Sequence, residues 1–247
     1  MINFLRKFRR QNMKSTKYLK YALGEIILVV IGILIALAIN QANERHKKLV
    51  KEQEYLQSLH NELVNDSLLF VETQTGLREV EAAARRIAMV LEDPKHKITD
   101  SLGFISDFRT IINRTQMMPD PVVWQELLNT GNLELIQDRQ LIETLYNHYH
   151  KVKACQVDYD NNVHYFVLKG RYFDSSILHV KETDDLFDNF KMDQMPRVAV
   201  FEILLNSKEF DHVVHGMVSG TIISQLILGG VQESIKKPLA MVKQQLD

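Results

Sequence analysis

A single cysteine, Cys155, excludes any intrachain disulfide. An oxidising compartment is therefore allowed but not indicated. Proline is scarce: there are five in 247 residues, and none precedes Pro94. Continuous helix is thus permitted through the first third of the chain. No strand repeat, Gly-rich phosphate loop or nucleophile-elbow motif is present. Charged residues make up 25% of the chain, which is too balanced for disorder.

The net charge of −1 hides an asymmetry. Residues 1–20 contain Arg6, Lys7, Arg9, Arg10, Lys14, Lys17 and Lys20 and no acid, so they carry +7 and the remainder carries −8. A basic head suits an anionic membrane surface. An acidic body argues against nucleic acid as a partner.

Ile26 to Ile39 is an unbroken apolar run, IILVVIGILIALAI. It extends backward through Leu19, Tyr21, Ala22, Leu23 and Gly24, interrupted by Lys20 and Glu25, to a length that can span a bilayer. Lys20 can snorkel, and Tyr18 and Tyr21 suit an interface. The expected organisation is a basic segment over 1–18, a transmembrane helix over 19–39 and a helical domain over 40–247. Seven Lys/Arg precede the span, and four follow within a similar distance: Arg45, Lys47, Lys48 and Lys51. The positive-inside bias leaves the N-terminus in the cytoplasm and the body translocated. In a Gram-negative cell this means a single-pass inner-membrane protein with a periplasmic domain.

A cleaved signal peptide is the rival reading, because Ala36-Leu37-Ala38 forms an A-x-A pattern. The long charged region, Glu25 at the boundary and the Ile/Val-rich core favour retention. Glu25 itself is a functional candidate as an ionisable residue in a span. Its edge position near Lys17 and Lys20 favours an interfacial carboxylate instead. Gly32 and Ala36 form a small-x-x-x-small pair on one face, which predicts self-association of the span.

Past the membrane segment, Leu49, Leu56, Leu63, Phe70, Leu77, Ala84 and Leu91 recur every seven residues. Leu59, Val80 and Ile87 occupy the companion position, which Glu52, Asp66 and Thr73 spoil elsewhere. This predicts a long stalk helix lying on a bundle, rather than a strict two-stranded coiled coil. Asp93-Pro94 ends it, and Asn65-Asp66-Ser67 marks a candidate break within it.

Further along, Thr99, Asp100 or Ser101 can cap a helix carrying Leu102, Ile105, Phe108, Ile111 and Ile112. A short helix from Val122 to Leu128 ends at Asn129-Thr130-Gly131. Leu133 to Ile136 reads as an extended or turn segment. Asp138 caps a long helix with the stripe Leu141, Leu145, Tyr149, Val152, Gln156, Tyr159, Val163 and Phe166. Residues 174–196 read as short helices and loops, and 198–205 as a short apolar helix. Ser207 caps a last helix, kinked at Pro238, in which Gly216-x-x-x-Gly220 permits close packing. Val213 to Val231 lacks charge but carries His215, Ser219, Thr221, Ser224, Gln225 and four glycines, so it reads as a buried bundle helix and not a second span. The fold class is all-α.

Two blocks carry a resemblance. One is Lys17-Tyr18-Leu19-Lys20-Tyr21-Ala22-Leu23-Gly24-Glu25-Ile26 with the apolar run, Asn40 and Lys51-Glu52-Gln53-Glu54-Tyr55-Leu56. The other is Thr130-Gly131-Asn132-Leu133-Glu134-Leu135-Ile136 leading through Leu141 to Tyr149. They resemble an uncharacterised family of single-pass membrane proteins from Bacteroidota, a domain of unknown function. The resemblance implies a retained membrane helix and a helical extracytoplasmic domain. It implies no activity, and it brings Glu25 into the family-like motif.

No residue set predicts catalysis, a metal or a cofactor. His148 and His150 point to different helix faces. His212 and His215 share a face beside Asp211 but lack an evident third ligand. Cys155 reads as a small packed residue, and Trp124 as a cap on the bundle core. The functional expectation is a non-enzymatic envelope scaffold or interaction module with an unknown envelope partner. The alternative is a periplasmic ligand-sensing bundle acting through a membrane partner.

Overall fold

The computed structural model describes residues 2–95, 97–113, 118–177, 201 and 204–247, and among them the fold is all-α with no strand. The chain divides into two compact units, Met1–Glu54 and Tyr55–Asp247.

Helix α1 runs over Ile2–Glu92. No break occurs at Asn65-Asp66-Ser67, and the helix stops immediately before Asp93-Pro94. The absence of proline and the uninterrupted heptad explain this continuity. In the first unit every side chain from Tyr21 to Lys51 is exposed. The eleven Ile, Leu and Val residues of 26–39 are among them, and leaving them in water would forgo roughly 20 kcal/mol of burial.

The second unit is a helical bundle. Its remaining elements are α2 (Ser101–Ile112), α3 (Val122–Thr130), a 3-10 turn (Asn132–Leu135), α4 (Arg139–Tyr159), a π turn (Asp160–His164), α5 (Tyr165–Ile177) and α6 (Lys208–Leu246). Helix α4 packs along α6, the π turn and α5 continue along α6, and α2 packs on α5.

The caps follow the sequence signals. Asp100 accepts from the Gly103 amide, Asp138 from the Gln140 and Leu141 amides, and Ser207 from the Phe210 amide. Gly131 closes α3 in the left-handed region at φ 73°, which only glycine adopts without cost. Asp138 also accepts from Gln245 at 2.8 Å, tying the start of α4 to the end of α6. Asp138→Ala is expected to cost about 1–2 kcal/mol. A lower denaturation midpoint at unchanged slope would register this loss.

Several expectations are refined. Leu102 is exposed, and Phe104 takes its place in the core with Phe108, Ile111 and Ile112. The segment after Gly131 is a 3-10 turn. On α4 and α5 the buried positions are Cys155 and Val167, not Gln156 and Phe166. The π turn inserts one residue ahead of α5, which accounts for the shift from Phe166 to Val167. Helix α6 passes through Pro238 and ends at Leu246, and its buried face includes Phe210, Val214, Met217, Leu228, Val231 and Ile235. The expectation for residues 174–196 falls largely outside the described residues. Of 198–205, Phe201, Leu204 and Leu205 are described, and all are buried.

Candidate functional site

The companion row of the α1 heptad is buried throughout the bundle, polar members included. Asp66 is 4% exposed and Thr73 1%, beside Leu59, Val80 and Ile87. These residues are inward-facing polar positions and do not interrupt the packing. Near Asp66, α1 meets α3 and α4 in one polar seam.

Glu62, one turn before Asp66, organises this seam. Its carboxylate accepts from the Val123 amide at 2.6 Å and the Trp124 amide at 3.3 Å. Helix α3 has Pro121 before it and no side-chain cap of its own, so Glu62 supplies the missing acceptor from another helix. The same carboxylate accepts from the Tyr149 hydroxyl at 2.8 Å. Burial, followed by the neighbouring Glu62 and Asp66 carboxylates, pushes the Tyr149 hydroxyl far above its usual range. Trp124 stacks on Tyr149 at 5.2 Å between centroids and meets Tyr146 edge-on at 4.8 Å. Tyr55 donates to Glu126 at 2.9 Å and accepts from Asn132 at 2.7 Å, fastening the other side of α3.

Asp66 has a buried oxygen, Oδ2, without a hydrogen-bond partner among the described residues. Burial, reinforced by Glu62, pushes its carboxyl up to about 7. Across the seam His148 is 1% exposed and packs edge-on against Phe70, one turn beyond Asp66. Its Nδ1 bonds the Ser234 hydroxyl of α6 at 2.8 Å, and its Nε2 has no partner among the described residues. Burial, with Lys151 adding to it, pushes His148 down to about 4.

The other candidates from sequence are not brought together. His150 is exposed while His148 is buried. His212 stacks edge-on with Phe166, whereas His215 lies between Asp211 of its own helix and Glu92, each at 3.3 Å. Among the described residues no group of three metal-ligating side chains exists. Cys155 is buried, and burial followed by Asp158 pushes its thiol up to about 11, away from nucleophilic reactivity. Trp124 is a core residue, as its position suggested. Sequence reasoning missed both buried ionisable groups, Asp66 and His148; the signals were an acid on the companion row of the α1 heptad and a histidine beside Tyr149 on the α4 stripe.

A crevice of about 300 Å³ opens where the end of α1 meets α2, lined by Arg86, Ile87, Ile98, Asp100, Phe104 and Asp107. Arg86 and Asp107 are engaged with each other through bonds of 2.6 and 2.8 Å. The crevice therefore presents an ion pair whose two members satisfy each other.

Taken together, these features define an all-α bundle protein with a long, fully exposed apolar helical segment near its N-terminus. Residues 25–189, two thirds of the chain, match the family of unknown function DUF6090, and the chain belongs to that family. No curated protein matches it. No solved structure matches it either.

Proposed function

We propose that the chain is a single-pass envelope protein, anchored in the bilayer by residues 19–39, whose helical domain is a non-enzymatic scaffold or interaction module. The observation that carries this reading is the apolar run Ile26–Ile39, exposed at every position. Helices α1 and α6 are both long and apolar enough to cross a membrane by length and composition. They differ in surroundings: α6 buries one face in the bundle, whereas 26–39 buries nothing. In this reading residues 1–18 are cytoplasmic and 40–247 lie outside the cytoplasm, in the periplasm of a Gram-negative cell.

The interaction role is supported by surface chemistry. Val157, Tyr165, Leu168 and Tyr172 are exposed along α4 and α5. Apolar exposure of this kind favours a protein partner over an enclosed ligand. The sensing alternative would use the crevice by α2, whose Arg86–Asp107 pair must open to receive a ligand.

A photo-crosslinking residue at Leu168 or Tyr172 in the membrane-anchored full chain tests the role. A reproducible adduct with the same envelope protein at both positions is expected. Adducts confined to positions in 26–39 would sink the scaffold reading and leave the anchor standing.

Self-association through Gly32 and Ala36 is a separate part of the proposal. Both residues are exposed, and nothing in the structure lies within 4 Å of a Cβ placed on Gly32. Gly32→Leu with Ala36→Leu is expected to weaken the dimer signal in a membrane two-hybrid assay several-fold, since close backbone approach would be lost. An unchanged signal would refute this contact.

A further inference from the structure

We propose that, in the mildly acid range, the α1–α4 seam closes with Asp66 as a neutral carboxylic acid and His148 as a neutral imidazole, so that opening the seam moves one proton, in net, from carboxyl to imidazole without net proton exchange with the medium.

The geometry requires neutrality of both. Asp66 and His148 are 96% and 99% buried, by difference from their exposures of 4% and 1%, and each has a polar atom without a partner among the described residues. An unpaired buried charge is expensive, and a buried ionisable group ordinarily escapes by staying neutral. The groups facing the pair offer no rescue for a charge. On α1 the neighbour of Asp66 is Glu62, which already accepts three hydrogen bonds. On α4 they are Tyr149, committed to Glu62, and Lys151, which acts on His148 with like charge and is itself exposed. Helix α3 presents Trp124, and α6 presents Ser234, neither of them charged.

When the seam opens, both groups regain ordinary behaviour, near 4 for the carboxyl and 6.5 for the imidazole. Asp66 is raised to about 7 in the closed state, so its contribution to closure is complete below about 4 and is lost as pH rises to 7. His148 is lowered to about 4, so its contribution is complete above 6.5 and is lost as pH falls to 4. The two windows overlap and their slopes oppose. Closure is consequently insensitive to pH, as far as this pair is concerned, across the mildly acid range. Asp66 gives up the proton, His148 Nε2 receives one, and the count balances.

The test is equilibrium denaturation of the full chain in mild detergent, followed through Trp124, the single tryptophan and a member of the seam. Wild type, Asp66→Asn, His148→Gln and the double variant are compared between about pH 4.5 and 6. Relative to wild type, the unfolding constant of Asp66→Asn should fall about tenfold per pH unit, and that of His148→Gln should rise about tenfold. The double variant should run parallel to wild type. Single variants that both run parallel to wild type, or that both tilt the same way, overturn the proposal. If either variant fails to fold, NMR of the wild-type Asp66 carboxyl carbon and His148 ring decides. A protonated Asp66 and a neutral His148 at about pH 5.5 are expected, and either group charged there overturns it.

Discussion

Gly220→Ala is expected to destabilise the bundle by roughly 3 kcal/mol, the upper range for forcing atoms into a packed interior. A Cβ at this position meets the backbone carbonyl of Asn162 well inside contact distance. Asn162 lies in the π turn, and Gly220 is on the buried face of α6. The obstacle is main chain, so no rotamer change relieves it. Gly216 differs, since its Cβ would meet the Phe166 ring, which is a side chain and only half-buried. Gly229→Ala serves as the control: the position is exposed, within the same helix, and open around its Cβ. Replacement there should stabilise by about 0.5–1 kcal/mol through backbone entropy alone. Opposite shifts of the denaturation midpoint for two Gly→Ala changes in one helix would locate the close approach at Gly220. Equal shifts would mean that α6 stands further from the π turn than described.

Glu62→Ala is expected to cost a similar amount, roughly 3 kcal/mol, by stranding donors that no other group can satisfy. The Val123 and Trp124 amides and the Tyr149 hydroxyl all lose their acceptor together. Because Trp124 sits on the first turn of α3, its fluorescence should change with the loss of order there, not merely at global unfolding. Glu62→Gln retains an acceptor oxygen and should lose less. The variant also removes the carboxylate beside Asp66, so Asp66 should hold its proton less tightly than in wild type, with burial alone still raising it. Stability of Glu62→Ala within about 0.5 kcal/mol of wild type would show that α3 is held by its apolar face alone.

The elements were legible where local chemistry and tertiary packing agree. Asp100, Asp138 and Ser207 cap the helices they announce, and Gly131 ends α3 in the conformation its residue type permits. The seven-residue repeat of Leu56, Leu63, Phe70 and Leu77 marks the buried face of α1. On α4–α5 the stripe held at Tyr159 and Val163 but missed by one position at Cys155 and again at Val167. From Cys155 through Tyr159 and Val163 to Val167 the buried positions advance by four each time, slower than an α-helix turns. That lag is the signature of a π turn, but four-residue spacing alone also occurs in ordinary helices. The seam was half legible. Asp66 reads as a flaw in a heptad when the partner helix is unknown. Its burial depends on the helices packed around it and on α3 being brought against Glu62, which are facts of topology and not of local pattern.

The burial of Cys155 would make its oxidation a record of how often the bundle opens. Its sulfur is enclosed, and its thiol is held back from the reactive anion by burial. In an oxidising compartment a lone accessible thiol would couple one chain to another, so enclosure keeps the molecule out of mixed disulfides for as long as the helices stay together. Any separation of α4 from its neighbours would expose the thiol anew. The age of a population of these molecules, measured in openings rather than in hours, would therefore be written in the fraction whose single sulfur has been captured.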